Sequence, residues 1–405
     1  MTVSLDDIRA AAEVLDGEIL RTPCIPSQPI SALSGAQVVL KLENLQYTGS
    51  FKPRGALVRL AAMDAASAKA GVVAASAGNH AQGVAFHARR RDIPATIVMP
   101  GGTSFTKVAR TEALGARVVL HGRDLGEAGA HAQHLADAGG LQFIHPYDDE
   151  KIIAGQGTIG LEMVADHPDL EVIVVPVGGG GLIAGIATAA KALKPGIEVV
   201  GVEAALYPSM YNALRGKAPG GGGHSMADGI AVKVPGTLTR PIIEELVSDI
   251  LLVDEESLEG AVQTYLEVQR LVVEGAGAAA LAALVGYPDR FQGKKVGLVV
   301  SGGNIDSRLL SSVLMRGLVR AGRLVSMRVE ITDAPGVLAK VAGLIGDCGG
   351  NIVEIYHQRL FYDVPVRLAE VDVVLETVDP EHVRELLRRL SDAGFPTRLL
   401  SSTST

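Results

Sequence analysis

The chain has 405 residues, enough for two or three domains, and 47% of them are hydrophobic, enough for large cores. Since aromatic residues make up only 4% and Trp is absent, these cores consist mainly of Ala, Val, Leu and Ile, which suits buried parallel strands covered by helices. The net charge of −8 argues against nucleic acid as a partner, because phosphate binding needs a basic surface, and it favours an enzyme that acts on a small molecule.

The N-terminal segment MTVSLDDIRAAAEVL predicts a helix and not an export signal. Ser4 followed by Asp6 and Asp7 is a typical helix start, and the segment lacks the basic stretch and the apolar core of a signal peptide. No run reaches about 18 apolar residues, the length that a transmembrane helix needs. Cys24 and Cys348 are the only cysteines, too few for a disulfide framework or a thiolate metal site. We therefore expect a cytoplasmic protein without a membrane partner.

Residues 38–317 alternate between short β-rich runs and helical stretches. The β-rich runs are VVLKLE, GVVAAS, ATIVMP, RVVLHG, LQFIH, EVIVVPVG, EVVGVE and KKVGLVVS. This alternation predicts an α/β fold with mostly parallel strands. Such sheets bind ligands where a strand ends and the chain turns into a helix, so these turns are the expected places for reactive residues.

Two of the turns carry residues with side-chain chemistry. TGSFKPRGA (48–56) places Lys52 among small polar residues. A buried lysine loses its charge through desolvation, and its neutral amine can condense with an aldehyde; a solvated loop lysine is the alternative. SAGNHAQG (76–83) combines small residues, Asn79 and a predicted helix N-terminus, which suits a carboxylate or a phenolate oxygen. An ordinary N-cap by Asn79 is the alternative there.

Two further turns are rich in glycine. VGGGGLIAG (177–185) follows a strand and opens an apolar helix, so its backbone can wrap an anion such as a phosphate. No lysine follows these glycines as in a nucleotide P-loop. The competing run at 220–223 lacks flanking elements and predicts a loop. In VVSGGNID (299–306), Ser301 ends an apolar strand, where it either starts a helix or offers its hydroxyl to a ring nitrogen.

Together and in this order, the four turns resemble the fold-type II family of pyridoxal-phosphate enzymes, in particular the threonine dehydratases, over residues 5–320. SFKPRGA and SAGNHAQG are close to motifs of that family. The resemblance implies that Lys52 carries pyridoxal 5′-phosphate, with Phe51 near its ring. It also implies that Asn79 binds the 3′-oxygen and that Ser301 meets the pyridine nitrogen. The phosphate would be held by the backbone of the glycine turn, at Gly178, Gly179, Gly180, Gly181 and Leu182.

The same resemblance implies a reaction, in which an amino acid, threonine or serine, loses its β-hydroxyl group and ammonia. Lys52 would remove the α-proton, and the product would hydrolyse to a 2-oxo acid. A serine hydroxyl does not protonate pyridine as a carboxylate does, which favours direct loss of the β-group. The substrate carboxylate would lie against the N–H groups and side chains of Ser76, Ala77, Gly78 and His80.

Two other functions stay open beside this one. Serine racemases share the architecture but carry a second serine in the asparagine turn, where this chain has Ala77. A methyl group cannot transfer a proton, so we expect elimination to dominate over racemisation. A non-catalytic amino-acid sensor is the other alternative, and the intact Lys52, Asn79 and Ser301 argue against it.

Two further motifs predict no additional cofactor. Some relatives hold a divalent cation through an acidic pair; Glu203 matches the first acid, but the second position falls near Ser209, so we predict no metal. EGAGAAA (274–280) mimics the dinucleotide fingerprint G-x-G-x-x-A. It follows a stretch with helical spacing, however, and close helix packing through small residues is the interpretation we adopt.

After about Arg323 the predicted order is βαββαβ, a ferredoxin-like unit. The segment 333–355 resembles an ACT domain, a regulatory module that binds amino acids, and this implies an effector site at Asp333, Gly336 and Asn351. A structural or dimerising unit is the alternative, and a homo-oligomer, dimer or tetramer, is expected. The predicted domains are a catalytic domain, a smaller subdomain within it and an ACT-like regulatory domain, at 1–321, about 48–145 and 324–401.

Overall fold

The computed structural model describes residues 2–358 and 368–400. Its strands are β1 Cys24–Pro26, β2 Gln37–Leu42, β3 Val72–Ala75, β4 Ala95–Met99, β5 Arg117–Leu120, β6 Gln142–Phe143, β7 Val172–Pro176, β8 Glu198–Ala204, β9 Asp249–Val253, β10 Lys295–Val300, β11 Leu324–Thr332, β12 Asn351–Gln358, β13 Leu368–Glu376 and β14 Thr397–Leu399. Its helices are α1 Leu5–Leu15, α2 Gln28–Ser34, α3 Lys52–Ala61, α4 Ala65–Ala70, α5 Asn79–Arg90, α6 Phe105–Ala113, α7 Leu125–Gly139, α8 Glu150–Asp166, α9 Gly181–Leu193, α10 Ser209–Leu214, α11 Thr239–Leu246, α12 Glu255–Gln269, α13 Gly275–Gly286, α14 Pro288–Phe291, α15 Ser307–Arg320, α16 Val337–Asp347 and α17 Pro380–Asp392. The predicted ACT-like domain includes residues 359–367 and 401, which lie outside the described residues.

The first compact unit, Met1–Ile305, is built around a six-stranded and a four-stranded sheet. The six-stranded sheet has the order β1-β2-β10-β7-β8-β9, and its neighbours are parallel except β1 with β2. β7 and β8 are rich in valine and almost entirely buried, as expected for parallel strands covered by helices. Helices α8 and α9 cross closely at Gly185. Any side chain at this position would overlap the backbone of α8, so the close crossing requires glycine.

The four-stranded sheet has the order β5-β4-β3-β6 and is parallel throughout. Its core, with Val84, Ile97 and Ile144, is separate from the core around Ile173 and Ile186 in the larger sheet. The α/β architecture predicted from the alternation is therefore confirmed. The ends of β3, β7 and β10 lead into three of the turns that carry candidate site residues.

The second compact unit is Asp306–Thr405. It begins with α15, and then β11, α16, β12, β13, α17 and β14 follow in the predicted βαββαβ order. The sheet is antiparallel with the order β12-β13-β11-β14. Met327, Val371, Val373 and Leu386 belong to its buried core, to which α17 contributes one strongly apolar face. The ferredoxin-like prediction for this part of the chain is confirmed.

Smaller features also follow the sequence. Ser4 and Asp7 form a reciprocal capping box at the start of α1. Residues 220–223 lie in a loop, and Gly275 and Gly277 begin the buried helix α13, where side chains would overlap neighbouring backbone. Within residues 2–358 and 368–400, no helix combines the length and the apolar character needed to cross a membrane.

Candidate active site

The structure brings the four turns together through hydrogen bonds and close backbone contacts. The N–H of Phe51 donates to the carbonyl of Ser301 at 3.1 Å, which joins the first turn to the fourth. The first turn also packs closely against the second at Gly83 in α5. A Cβ atom added at Gly83 would lie only 3.1 Å from the carbonyl carbon of Lys52. The segment at Pro146 and Tyr147 completes the group by contacting both Lys52 and the glycine turn.

Lys52 is the first residue of α3 and its side chain is half-buried. Its Nζ donates to the carbonyl oxygen of Pro146 at 2.7 Å and lies 5.1 Å from the centre of the Phe51 ring. Burial lowers the pKa of Lys52 to about 8, although the negative charge of Glu274 opposes this change. A large share of neutral amine is therefore present in mildly alkaline solution, and such an amine can act as a nucleophile or a base.

A buried ionic network fixes the helix that carries Lys52. The guanidinium of Arg54 donates two hydrogen bonds of 2.9 Å to Glu43 and bonds of 2.7 and 2.9 Å to Glu162. Lys41 pairs with the same Glu162. Burial alone disfavours the charge of Arg54, but the two carboxylates outweigh it and raise the pKa of the guanidinium. Because each charge has partners, the network ties the start of α3 to α8 and to the end of β2.

The asparagine turn joins β3 to α5. Gly78 and not Asn79 occupies the N-cap of α5, so the alternative of Asn79 as an ordinary cap is wrong. The Asn79 side chain instead accepts from Asn304 Nδ2 at 2.7 Å and donates to Glu274 Oε1 at 2.6 Å. The hydroxyl of Ser76 accepts from the N–H of Gly78 at 3.2 Å.

His80 is buried, and its Nε2 donates to the carbonyl oxygen of Ile144 at 2.9 Å. Burial, together with the nearby charge of Lys52, lowers the pKa of His80 to about 3. The imidazole is therefore neutral near pH 7 and its Nε2–H is already used. The backbone N–H of His80, in the first turn of α5, is the part of this residue that suits an anion.

The glycine turn leads from β7 into α9. Gly180 is the N-cap of α9 with φ 97°, a left-handed conformation that favours glycine, and no described side chain caps the helix. Side chains at Gly179 and Gly181 would overlap Tyr147, so the backbone has to approach this segment closely. The first N–H groups of a helix have no partner within it. The backbone N–H groups of the glycine turn and of Leu182 are therefore suited to bind an anion the size of a phosphate.

Ser301 follows β10 directly and is only 3% exposed. Beside it lie two residues that the sequence analysis did not single out, Glu274 and Asn304. Burial, with repulsion from Asp228, raises the pKa of Glu274 to about 7. One signal was available in the sequence: Glu274 is an isolated acid between the apolar LVV and a helix of glycine and alanine, where burial without a nearby cation is expected.

Glu203 lies in the first unit and is fully buried. Its oxygens accept from the N–H groups of Met210 and Tyr211, both at 2.8 Å, and burial raises the pKa of this carboxyl to about 7. Ser209, at the position of the second acid, donates at 3.4 Å. Among the described residues there is no group of three or more His, Cys, Asp or Glu side chains that could hold a metal ion.

In the second unit, two of the three residues expected to bind an effector, Asp333 and Gly336, lie at the start of α16. Asn351 does not join them within the chain, because it pairs with Glu376 at the end of the sheet where β11 begins, whereas Asp333 follows the last residue of β11. Gly336 is the N-cap of α16 with φ 85°, and no side chain in the described ranges caps this helix. Asp333 lies between β11 and α16. Asn351 begins β12 and its Nδ2 donates to Glu376 at 2.8 Å. The side chain of Asn351 therefore already has a partner within the sheet.

The donors at the four turns fit pyridoxal phosphate. Lys52 offers an amine of lowered pKa for the aldehyde, and the glycine turn offers free N–H groups for the phosphate. Asn79 has one amide hydrogen left after donating to Glu274, which suits a phenolate oxygen. The hydroxyl of Ser301 suits a ring nitrogen, and Phe51 lies beside Lys52.

Known proteins are similar to this chain over most of its length. Residues 15–302 match the family of pyridoxal-phosphate dependent enzymes. A protein named L-threonine ammonia-lyase from Thermotoga maritima is 44% identical over 400 residues, covering 98% of this chain and 100% of the relative. One of the same name from Geobacter sulfurreducens is 44% identical over 392 residues, covering 96% and 97%.

Solved structures give the same result for the first unit. The processed form of threonine deaminase isoform 2 from Solanum lycopersicum has a TM-score of 0.73 and 35% identity, covering 77% of this chain and 91% of that one. Maize serine racemase has a TM-score of 0.73 and 32% identity, covering 79% and 99%. The family match spans more than half of the chain and includes the first three turns and, in the fourth, Ser301. This chain therefore belongs to the family of pyridoxal-phosphate-dependent enzymes.

Proposed function

We propose that this enzyme dehydrates and deaminates L-threonine, and also L-serine, to 2-oxobutanoate or pyruvate and ammonia. The observation that carries the proposal is Lys52, a half-buried amine of lowered pKa at the meeting point of the four turns. The relatives named L-threonine ammonia-lyase, 44% identical over nearly the whole chain, support the same substrate.

In this proposal each turn has one task. Lys52 holds the cofactor, the N–H groups from Gly178 to Leu182 hold its phosphate, Asn79 binds its 3′-oxygen and Ser301 meets its ring nitrogen. When bound, pyridoxal phosphate supplies an electron sink for the charge left at the substrate's α-carbon. The neutral amine of Lys52 removes the α-proton, because burial keeps its pKa close to physiological pH.

The substrate carboxylate is assigned to the asparagine turn. The first backbone N–H groups of α5 have no partners within the helix, and no described side chain caps it. Ser76 contributes its hydroxyl, and Gly78 lets the anion approach because nothing lies within 4 Å of where its side chain would be. His80 contributes its backbone, since its ring is neutral and bonded to Ile144.

Racemisation is the competing activity, and maize serine racemase shares the fold. Ala77, in the turn between β3 and α5, has no hydroxyl to deliver a proton to the opposite face of the α-carbon. We therefore expect L-serine to give pyruvate with little D-serine, and Ala77→Ser to raise the yield of D-serine. A wild-type enzyme that racemises serine as fast as it deaminates it would contradict this assignment.

The direct test of the proposed function combines an assay with trapping of the cofactor. Purified enzyme should convert L-threonine to 2-oxobutanoate and should show an absorbance band near ~410 nm that borohydride removes. Mass spectrometry after this reduction should find the cofactor on Lys52. A label on Lys41 or Lys107 instead would overturn the assignment of the site.

We also propose that residues 1–321 catalyse the reaction and that residues 324–401 regulate it by binding an amino acid near Asp333 and Gly336. The uncapped start of α16 supports this, because its N–H groups suit a carboxylate. We further propose a cytoplasmic homo-oligomer, dimer or tetramer. A chain cut after Gly322 should keep its cofactor and lose any response to isoleucine or valine, an effect of about 1–3 kcal/mol. Sedimentation of both chains serves as the control for assembly, and an unchanged response would place the effector site elsewhere.

A further inference from the structure

We propose that Glu274 is a positioning residue of this site, which holds the amide group of Asn79 in one orientation and places a negative charge beside Lys52. The inference rests on the proposed function in one respect, because it takes Lys52 to be the residue that binds the cofactor. It assigns a role to an acid that the sequence analysis treated as part of a helix-packing motif.

The hydrogen bonds fix the orientation of the amide group. Asn304 Nδ2 donates to Asn79 Oδ1 at 2.7 Å and also to the carbonyl of Thr48 at 2.6 Å. Glu274 Oε1 accepts from Asn79 Nδ2 at 2.6 Å. Since an ionised carboxylate can only accept, the amide nitrogen has to face Glu274. The second N–H of that nitrogen is then left to donate to an oxygen of the bound cofactor.

The carboxylate of Glu274 lies in close contact with the fourth turn. Glu274 is the N-cap of α13 and only 6% exposed, and its N–H donates to the carbonyl of Gly302 at 3.1 Å. Any side chain at Gly302 would overlap the Glu274 carboxylate. Gly277, one turn further along α13, also packs directly on the carbonyl of Gly302. The charge of Glu274 is therefore held at the fourth turn, next to Ser301.

The charged groups around Glu274 leave its carboxylate weakly compensated. Burial and the negative charge of Asp228 raise its pKa to about 7, while the Asn79 amide, the charge of Lys107 and the Asn304 N–H favour the ionised form. Lys107 is itself paired with Asp228 at 2.8 Å. The remaining cation is Lys52, whose protonated form the charge of Glu274 stabilises. Above about pH 7, Glu274 thus favours a proton on the Lys52 nitrogen.

Two substitutions in the full-length holoenzyme separate the two roles of Glu274. Glu274→Gln keeps an oxygen that can accept from Asn79 but removes the charge, whereas Glu274→Asp keeps the charge. The readout is the absorbance of the bound cofactor between pH 6 and 10 without substrate. We expect the midpoint of its pH dependence to fall by about 1 unit in Glu274→Gln, because loss of a nearby negative charge lowers a pKa by this order, and to stay near the wild-type value in Glu274→Asp.

Glu203→Gln is the matched control, because Glu203 is equally buried and its pKa is also raised to about 7. Its oxygens bond to α10 and not to Asn79, so its midpoint should match that of the wild type. Glu274→Ala, which removes both roles, should in addition weaken cofactor binding about tenfold, the loss of one hydrogen bond to a charged group. If Glu274→Gln leaves the midpoint within about 0.3 unit of the wild type, well below the effect of a neighbouring charge, the proposal is overturned.

Trapping by borohydride separates this outcome from a failure of the proposed function. A label on Lys52 with an unchanged midpoint in Glu274→Gln contradicts the role of Glu274 alone. A label on another lysine contradicts the site itself. If Glu274→Ala does not fold, the comparison between Glu274→Gln and Glu274→Asp still decides, since both retain a polar side chain at this position.

Discussion

Two carboxylates of the first unit, the half-buried Glu162 and the buried Glu274, differ in how their charge is balanced. Glu162, in α8, bonds to Arg54 and Lys41; burial works against its charge, but the two cations outweigh burial and lower its pKa. Glu274, on the side of Asn79, has no described cation in hydrogen-bond contact with its carboxylate, and burial raises its pKa to about 7. The paired carboxylate of Glu162 therefore stays ionised near pH 7, whereas the carboxylate of Glu274 gains or loses a proton near this pH. A carboxyl group whose pKa lies near 7, as in Glu274, is typical of functional sites, whereas a paired carboxylate such as Glu162 is typical of structural ion pairs.

Substitution of Lys52 should have the largest effect. Lys52→Ala removes both the proposed cofactor attachment and the proposed base, and we expect kcat to fall by at least about 10³-fold. Release of 2-oxobutanoate is the measurement. Lys194→Ala provides the control, since this lysine bonds only to the carbonyls of Pro168 and Leu170. Turnover above about one-tenth of the wild-type rate in Lys52→Ala, far more than loss of a general base allows, would contradict the assignment.

Substitution of Arg54 should disrupt the ion pairs of Glu162 and Glu43. Arg54→Met leaves Glu43 and Glu162 buried without their main partner, and we expect the free energy of unfolding to fall by about 3–5 kcal/mol. Arg290→Met is the matched control, because Arg290 also pairs with two carboxylates but is more exposed, and it should cost about 1 kcal/mol or less. Urea-induced unfolding of both variants gives the values. Equal losses would show that burial of the pair does not matter.

Glu162 and Glu274 should change the stability of the fold with pH in opposite directions. The pKa of Glu162 is lowered by folding, so its contribution to stability is present above its unfolded pKa and is lost as the pH falls. The pKa of Glu274 is raised to about 7, so the folded state loses stability as the pH rises through about 7. In cofactor-free protein, Glu274→Gln should therefore gain about 1–3 kcal/mol over the wild type at pH 8 relative to pH 5.

Glu162→Gln completes this comparison. It should lose stability at pH 8, and its deficit should shrink toward pH 4 as the wild-type carboxylate becomes protonated. Unfolding curves at several pH values provide the measurement. A pH dependence of the same sign for both variants would show that the two carboxylates are in equivalent surroundings, against the difference in their hydrogen bonds.

The sequence predicted the elements and turns of the site better than its supporting contacts. Lys52, Asn79, the glycine turn and Ser301 follow from local patterns, because each lies where a strand or loop leads into a helix or ends a strand. Glu274 meets Asn79 across 195 residues and Arg54 meets Glu162 across 108, and no local pattern fixes such a pairing. The small residues of α13 were correctly interpreted as close packing, but that interpretation gave no function to the acid before them.

These separations have a consequence for synthesis of the chain. Arg54 receives its partner Glu162 only after 108 further residues have been added, and until then its guanidinium has only one of its two carboxylate partners, the preceding Glu43. The hydrogen-bond partners of Asn79 are made later still, first Glu274 and then Asn304. The segment with Lys52 is therefore translated early and acquires its final surroundings late, when β10 inserts between β2 and β7. Nascent chains that end before residue 305 should depend on chaperones and remain unable to retain the cofactor.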